Sequence, residues 1–511
     1  MKRKIKYLFG ILLILVQLSF VNAQDTDWKT MIESWRDAYN TPGMSVGIIR
    51  NGEVVFVDGF GVLEEGKSQK ADKNTLYSIA SNTKAFISAS MATLVKEGKI
   101  NWDDRVQKYL PYFELYDPCV SEMMTVRDLL CHRSGLGTFS GDVVWYRSKY
   151  TAEEVVKRVA ELPQEFEFRS GFGYSNVMYL AAGEVIRAVT GKSWAVYVKE
   201  KFLDPLDMDR TITSTNDIAS TSNVATPHKP EGELSNPIDW VNWDNVGAAG
   251  GIISSAEDMV KWMRFQLNNG INGKDTLFTK AQQMTMWTPH VSYPVSDRAR
   301  EVFGGRNFNG YGLGWGTSEY HGKQMVSHTG GYDGMYSAVT LLPGEKIGVV
   351  VLTNTMDGIG TMLSYEIIDK LLGLPQQDWK NRGLNQDKGH WADRAARIKE
   401  RADARIPGTK PSMSNTTISG LYRCPLFGDI RILEEEGKLT IDFVSSPLLK
   451  ARLSHWHNDT YKMEWIEEQA WFEFGTVQIQ MNNNGQPSGL LFDVPNDDIF
   501  FEEIKAVRVT P

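Results

Sequence analysis

The spacing of hydrophobic and polar residues predicts a mixed α/β unit over the first three quarters of the chain. Short apolar, β-branched runs bounded by turn residues are typical of strands, and they occupy residues 44–49, 54–60, 337–342 and 347–353. Longer stretches with apolar residues at helical spacing predict helices, at residues 81–97, 152–162, 180–189, 256–267 and 360–371.

Two turn sequences predict how the strands pair. Asn51-Gly52 lies between the first two strands, and Asn-Gly is the strongest short signal for a β-hairpin. Pro343-Gly344-Glu345 separates the last two strands in the same way. Strand pairs at both ends, with helices between them, predict one antiparallel sheet completed by the N- and C-terminal parts of a single domain.

The pattern changes after residue 372. A charged helical stretch at 391–405 leads into a Pro- and Gly-containing linker at 406–412. Closely spaced strand-like segments follow, with turns such as Glu436-Gly437 and Asn484-Gly485 between them; examples are residues 429–433, 438–443, 471–474, 477–481 and 490–494. This part is predicted to be a separate all-β meander or barrel.

The first residues predict export. A basic cluster at residues 2–6 precedes an apolar stretch at about 7–20 and the small-residue exit Val21-Asn22-Ala23, which is the organisation of a cleavable signal peptide. The alternative is a membrane anchor, but the stretch is shorter than the ~20 residues of a spanning helix. We expect cleavage after Ala23, a periplasmic or secreted product, and no stable membrane span afterwards.

The net charge and the cysteine content limit the kinds of partner and site that the chain can have. The formal net charge is −8, which argues against nucleic acid because such binding relies on Lys and Arg to displace counterions. Cys119, Cys131 and Cys424 are too few for a disulfide framework and too scattered for a metal site. Pairing of Cys119 with Cys131 is one alternative, and two buried thiols are the other.

The first candidate catalytic motif is Ser81-Asn82-Thr83-Lys84, where a strand-like run gives way to a helix. Residues three apart share a helical face. A serine hydroxyl needs a base to become a nucleophile, and a desolvated lysine can serve as that base. Ser-x-x-Lys alone is unspecific, since a chain of this length contains about one or two by chance.

Two later motifs supply the context. Tyr174-Ser175-Asn176 offers a phenol that can relay protons and an amide that can bind a substrate carbonyl or a lysine. His328-Thr329-Gly330-Gly331 precedes an apolar strand and suits a sheet edge where a backbone lies against substrate. Taken singly, each motif is better explained as a loop aromatic or a structural histidine.

In this order and at these separations, the three motifs resemble the serine β-lactamase and penicillin-binding-protein superfamily, in its His-x-Gly variant. Further segments such as Tyr311-Gly312-Leu313-Gly314-Trp315 and Ala249-Gly250-Gly251 look like signatures of it. The resemblance implies an α/β (α+β) fold, an antiparallel sheet flanked by helices with a helical subdomain. The β region after it looks like the lipocalin-like tail of such hydrolases. The predicted organisation is a signal peptide (1–23), a hydrolase domain (24–375), a helical segment and linker (376–414) and a C-terminal β domain (415–511).

The resemblance also implies roles. Ser81 would be acylated, Lys84 and Tyr174 would share the proton transfers, and the backbone N–H groups of Ser81 and Gly331 would form the oxyanion hole. Substrate would be bound by Asn176, His328, Thr329 and Gly330. It implies no metal and no cofactor.

The motifs do not distinguish among the enzymatic activities found in the superfamily. His328 stands where many members carry lysine, and an imidazole is mostly neutral near pH 7, so recognition of a substrate carboxylate is in doubt. We expect an exported peptidase or amidohydrolase acting on small or D-amino-acid-containing peptides. A carboxylesterase or a β-lactamase of the same fold is the alternative, and a non-catalytic penicillin-recognising or sensor protein is a remote one. Trp145, Tyr146, Phe172, Trp240 and Trp243 are candidates for an apolar pocket.

Overall fold

The computed structural model describes residues 27–231 and 234–509. The predicted signal peptide lies outside these residues. Within them, no helix is both long enough and apolar enough to cross a bilayer. The three cysteines form no disulfide; Cys119 is exposed, whereas Cys131 and Cys424 are buried.

The first domain is built on an eight-stranded antiparallel sheet, as the sequence predicts. In spatial order its strands are Glu53–Gly61, Gly43–Arg50, Ile347–Thr353, Met335–Leu342, Lys323–Tyr332, Gly316–Tyr320, Asn309–Tyr311 and Val291–Ser292. The N-terminal hairpin therefore lies beside the last strand of the domain, with Val46 opposite Val351. Asn51 and Gly52 both have positive φ, at 54° and 82°, which is the conformation of the tight hairpin turn.

Helices cover both faces of this sheet because its central strands are apolar on both sides. In Ile347–Thr353 every residue is buried; Val349 and Val351 face one core, whereas Val350 and Leu352 face the other. One face is covered by the helices Trp28–Tyr39 and Ile359–Leu372, and the opposite face by Ala256–Leu267.

The remaining helices form the subdomain beside the sheet and the connection to the C-terminal region. They are Thr83–Lys96, Pro118–Met123, Val126–Leu130, Asp142–Trp145, Ala152–Arg158, Asn176–Thr190, Trp194–Val198, Gly247–Gly250, Lys280–Trp287, Asp297–Val302, Trp379–Asp403 and Asn415–Ile418. The helix Trp379–Asp403 begins earlier than the sequence predicts, where the Asp378 side chain accepts a hydrogen bond from the backbone N–H of Asn381.

The C-terminal strands close into an eight-stranded barrel in which chain neighbours pair antiparallel; we refer to residues 420–508 as the barrel. Its strands are Gly420–Cys424, Gly428–Glu435, Lys438–Phe443, Lys450–His457, Thr460–Trp465, Thr476–Met481, Pro487–Asp493 and Ala506–Arg508. The last strand closes the barrel by pairing with both the first and the seventh. The lipocalin likeness and the domain boundaries stay predictions.

One predicted strand, residues 471–474, is wrong. The alternating aromatic pattern Trp471-Phe472-Glu473-Phe474 suggested a half-buried strand, but the segment lies in the loop between Thr460–Trp465 and Thr476–Met481. Phe472 is fully buried in the core, and Trp471 points towards the first domain. Phe472 and Phe474 are placed by ring contacts inside the barrel, and Trp471 by its contact with the first domain, not by a strand pair.

Candidate active site

Ser81 lies in a short, strained turn. The chain leaves the strand Tyr77–Ser78, makes a 3₁₀ turn at Ala80–Asn82 and enters the helix Thr83–Lys96. Ala80 has a φ of +43°, a left-handed conformation that is costly for a residue other than glycine and is found mainly at functional sites.

Ser337, on the strand Met335–Leu342, fixes this turn. Its hydroxyl donates to the carbonyl of Ile79 at 2.7 Å and accepts from the side-chain amide of Asn82 at 2.8 Å. The turn at Ser81 is therefore attached to the sheet on both sides.

Lys84 is fully buried and its Nζ has three polar neighbours. They are Asn176 Oδ1 at 2.7 Å, the carbonyl oxygen of Ala249 at 2.9 Å and Ser81 Oγ at 2.9 Å. The first two only accept, so they take both N–H groups of a neutral amine. Nζ donates to Ser81 Oγ in the ammonium form; once the amine is neutral, its lone pair faces Ser81 and can accept the hydroxyl proton. This geometry suits removal of the serine proton.

The pKa shifts of Lys84 and Tyr174 agree with proton transfer from Ser81 to Lys84. Burial lowers the pKa of Lys84 to about 7, so a large fraction of the amine is neutral near pH 7. Burial raises the pKa of Tyr174 well above 10, although a hydrogen bond with Ser81 acts in the opposite direction. Tyr174 therefore stays protonated and can relay a proton, whereas Lys84 is the group able to accept one.

We expect kcat/KM to rise with pH and to level off near pH 7, because only the neutral form of Lys84 accepts the serine proton. Below the pKa the rate should fall about tenfold per pH unit. Because burial lowers the pKa of Lys84, its amine loses a proton in the neutral range and not near the ordinary lysine pKa. Steady-state rates across the neutral range test this, and a profile without a limb near pH 7 would contradict the assignment.

Asn176 is the first residue of the helix Asn176–Thr190, and its side-chain amide is fixed by a hydrogen bond to Asp142. Its Nδ2 donates to Asp142 Oδ2 at 2.6 Å, which leaves its Oδ1 directed at Lys84. Asp142 is itself fully buried, and burial raises its pKa to about 8. The amide is thus orientated by a carboxyl group that is mostly protonated at pH 7.

His328 is buried and neutral. Its Nδ1 lies 2.6 Å from the carbonyl oxygen of Thr329, which only accepts, so Nδ1 carries the proton. Nε2 then accepts a hydrogen bond from the Tyr311 hydroxyl at 2.8 Å. Burial, with a further contribution from Lys84, lowers the pKa of His328 to about 3. This side chain supplies no positive charge to a substrate carboxylate near pH 7.

The strand Lys323–Tyr332 lies directly against the Ser81 turn. A Cβ atom on Gly330 would be 2.2 Å from the carbonyl oxygen of Ile79 and 2.9 Å from the backbone N of Ser81. Glycine is therefore required at this position. A Cβ atom added to Gly331, by contrast, would make an ordinary contact of 3.5 Å with the Trp471 ring.

A cavity of about 310 Å³ joins these groups. Its walls include six of the residues predicted from the sequence, namely Ser81, Tyr174, Asn176, His328, Thr329 and Gly331. Lys84 lies behind Ser81, and Gly330 is covered by the turn. The structure thus brings the three motifs together at one site.

Of the aromatic residues expected in the pocket, Trp145 and Trp243 line it. The other three do not. Tyr146 is buried and donates to Asp333, Phe172 packs against Tyr293, and the Trp240 indole donates to a backbone carbonyl.

Several residues of the site were missed by sequence reasoning. From the first domain Phe139, Asp142 and Tyr336 also line the cavity, and from the barrel come Trp471, Asp498 and Ile499. Asp142 had no usable signal, because an acidic residue is almost never fully buried unless it is paired. The barrel residues had none, because no local pattern relates them to Ser81.

The barrel also supports the site from outside the cavity. Glu503 accepts hydrogen bonds from the Ser140 hydroxyl at 2.6 Å and from the backbone N–H of Gly141 at 2.9 Å. These two residues immediately precede Asp142. The segment that orientates Asn176 is therefore anchored by the C-terminal region.

Comparisons with known proteins agree with this architecture. A family model described as Beta-lactamase matches residues 28–371, and one described as a domain of unknown function, DUF3471, matches residues 404–508. The unguisins hydrolase of Aspergillus violaceofuscus is 28% identical over 375 residues, which are 69% of this chain and 66% of that protein. The chain thus spans about two thirds of that relative's length.

Two solved structures share the fold. The octameric penicillin-binding protein homologue from Pyrococcus abyssi superposes with a TM-score of 0.60 at 22% identity, covering 94% of this chain and 99% of that one. The D-amino acid amidase from Ochrobactrum anthropi gives a TM-score of 0.55 at 22% identity, covering 67% and 98%. The first of these covers the barrel region as well as the hydrolase-like domain.

Proposed function

The chain belongs to the β-lactamase family, and from this premise we propose that it is an exported serine hydrolase that cleaves amide bonds in small peptides, including those with D-amino acids. Ser81 is the nucleophile, Lys84 its base and Tyr174 the proton relay towards the leaving amine. Export rests on the signal-peptide pattern of residues 1–23.

The observation that carries the proposal is the environment of the Lys84 amine. Two carbonyl acceptors fix its N–H groups, and its lone pair is left for the hydroxyl of Ser81. Such an arrangement activates a serine for acyl transfer without metal chemistry. The backbone N–H groups of Ser81 and Gly331 would stabilise the oxyanion, at about 3 kcal/mol each.

The choice of amides over penicillins rests on His328. A β-lactam or a C-terminal D-residue presents a carboxylate, and a neutral imidazole with both nitrogens engaged offers it no charge-assisted hydrogen bond. The D-amino acid amidase among the structural neighbours supports amide cleavage on this fold.

We expect a purified sample to hydrolyse aminoacyl p-nitroanilides with kcat/KM at least about tenfold above that for nitrocefin, a difference of about 1.4 kcal/mol in transition-state stabilisation. A fluorophosphonate probe should add one adduct, which peptide mass spectrometry should locate at Ser81. Dominant nitrocefin or p-nitrophenyl ester turnover would replace the amidase with a β-lactamase or an esterase. An adduct on another residue, or none, would contradict the serine mechanism.

A further inference from the structure

The catalytic cavity is shared between the two domains. The first domain supplies the nucleophile, while the barrel supplies Trp471, Asp498 and Ile499 to the lining of the same cavity. A volume of about 310 Å³ is at the small end for ligand pockets, so one small substrate reaches from wall to wall. The residues from the barrel are therefore in a position to contact whatever Ser81 attacks.

Two carboxyl groups face this cavity, one from each domain. Besides the neutral His328, Asp142 and Asp498 are the side chains with an ionisable charge among the described residues that line it. They lie close enough for Asp498 to contribute to the raised pKa of Asp142, although burial is the larger cause. Burial likewise raises the pKa of Asp498 to about 7.

Both carboxyl groups retain unused acceptor capacity. Asp142 uses Oδ2 to accept from Asn176, while its buried Oδ1 forms no hydrogen bond of good geometry, although the Trp145 indole acts to lower the pKa of this carboxyl. Over residues 27–231 and 234–509, no hydrogen bond or ion pair engages the carboxylate of Asp498. The neighbouring Asp497, by contrast, forms an ion pair with Arg397 at 2.7 Å. Burial keeps these carboxyl groups partly protonated near pH 7, and a bound cation would stabilise their ionised, accepting form.

We propose that Asp498, together with the free oxygen of Asp142, binds the α-ammonium group of the substrate and makes the enzyme specific for amides with a free amine next to the scissile carbonyl. This inference rests on the proposed function, since it concerns the substrate of the same site.

The chemistry of the cavity fits such a substrate. An ammonium has three donors, which two carboxyl groups from different directions can accept. Trp145, Trp243 and Ile499 offer an apolar surface for the side chain of the same residue. An N-acylated substrate is neutral at this point and leaves the carboxyl groups unpaired, so the cavity discriminates against it.

The test compares phenylalanine p-nitroanilide with its N-acetyl derivative, using both enantiomers. We expect the wild-type protein to prefer the free amine by about 10- to 100-fold in kcat/KM, the range for a charge-assisted hydrogen bond. Asp498→Asn keeps the shape but removes the charge. It should raise KM for the free amine about 10- to 100-fold, leave kcat nearly unchanged and leave N-acetyl turnover at its wild-type level. Asp498→Glu should restore part of the preference.

Asp497→Asn is the matched control, because it removes the same charge one residue away on the outer surface, and it should keep the wild-type preference. Equal losses for both substrates in Asp498→Asn would indicate a structural role and overturn the inference. So would a wild-type protein without preference for the free amine, although hydrolysis and labelling at Ser81 would still stand. No turnover of either substrate, with no adduct at Ser81, would instead overturn the proposed function itself, and this inference with it.

Discussion

Exchange of Lys84 for arginine is expected to lower kcat/KM by about 10⁴-fold, nearly as much as exchange of Ser81 for alanine. The guanidinium keeps a positive charge but is not deprotonated in proteins, so it has no lone pair for the serine proton. It is also larger than the space between Asn176 and the carbonyl of Ala249, where the buried amine lies.

The double variant Ser81→Ala with Lys84→Arg should be no less active than Ser81→Ala alone, because the two residues act as one unit. Lys96→Arg is the matched control, since it makes the same exchange at the exposed end of the same helix, and it should keep full activity. Thermal unfolding checks that each variant folds. Lys84→Arg with more than about a tenth of wild-type activity would mean that another group is the base.

Gly330→Ala is expected to lower kcat by about 10²- to 10³-fold, through displacement of the nucleophile from the oxyanion donors. The added methyl group overlaps two backbone atoms, the carbonyl oxygen of Ile79 and the N of Ser81, neither of which is a flexible side-chain end. The strand Lys323–Tyr332 and the Ser81 turn must therefore move apart. We also expect a loss of about 1–3 kcal/mol in the free energy of unfolding, as for other overpacked sites.

The control for this exchange is Gly344→Ala in the turn between the strands Met335–Leu342 and Ile347–Thr353. A Cβ at Gly344 meets nothing within 4 Å, so activity and stability should stay near wild type. Denaturant unfolding gives the free energies, and steady-state kinetics with a fluorophosphonate titration gives kcat per active site. An active Gly330→Ala would show that the strand and the turn can separate without harm.

The parts of the fold that were predictable are those set by local patterns. Asn51-Gly52 specified a hairpin because those residues readily adopt positive φ, and the largely apolar, β-branched run at 347–353 specified a strand. The site motifs around Ser81, Tyr174 and His328 were recognisable because each is short and because their order along the chain resembles that of a known superfamily. In the folded protein, Ser81, Tyr174 and His328 line one cavity.

What was not predictable depends on contacts between residues far apart in the sequence. The pattern at 471–474 imitates a strand, yet Trp471 lines the cavity and the two Phe rings pack against other rings of the barrel. Asp498 looks like a surface residue of an acidic segment, Asp497-Asp498, and its burial depends on how the barrel docks. The missing carboxyl groups of the site were thus lost for one reason: their environment is tertiary.

The wall formed by the barrel has a consequence for biosynthesis. Ile499 and Glu503 are synthesised more than 400 residues after Ser81. At about 5–20 residues per second, the interval between them is tens of seconds. During that time the nascent chain carries Ser81 without the barrel residues that line the cavity beside it. The proposed preference for a free amine should therefore appear only after the barrel has been synthesised and has docked against the first domain.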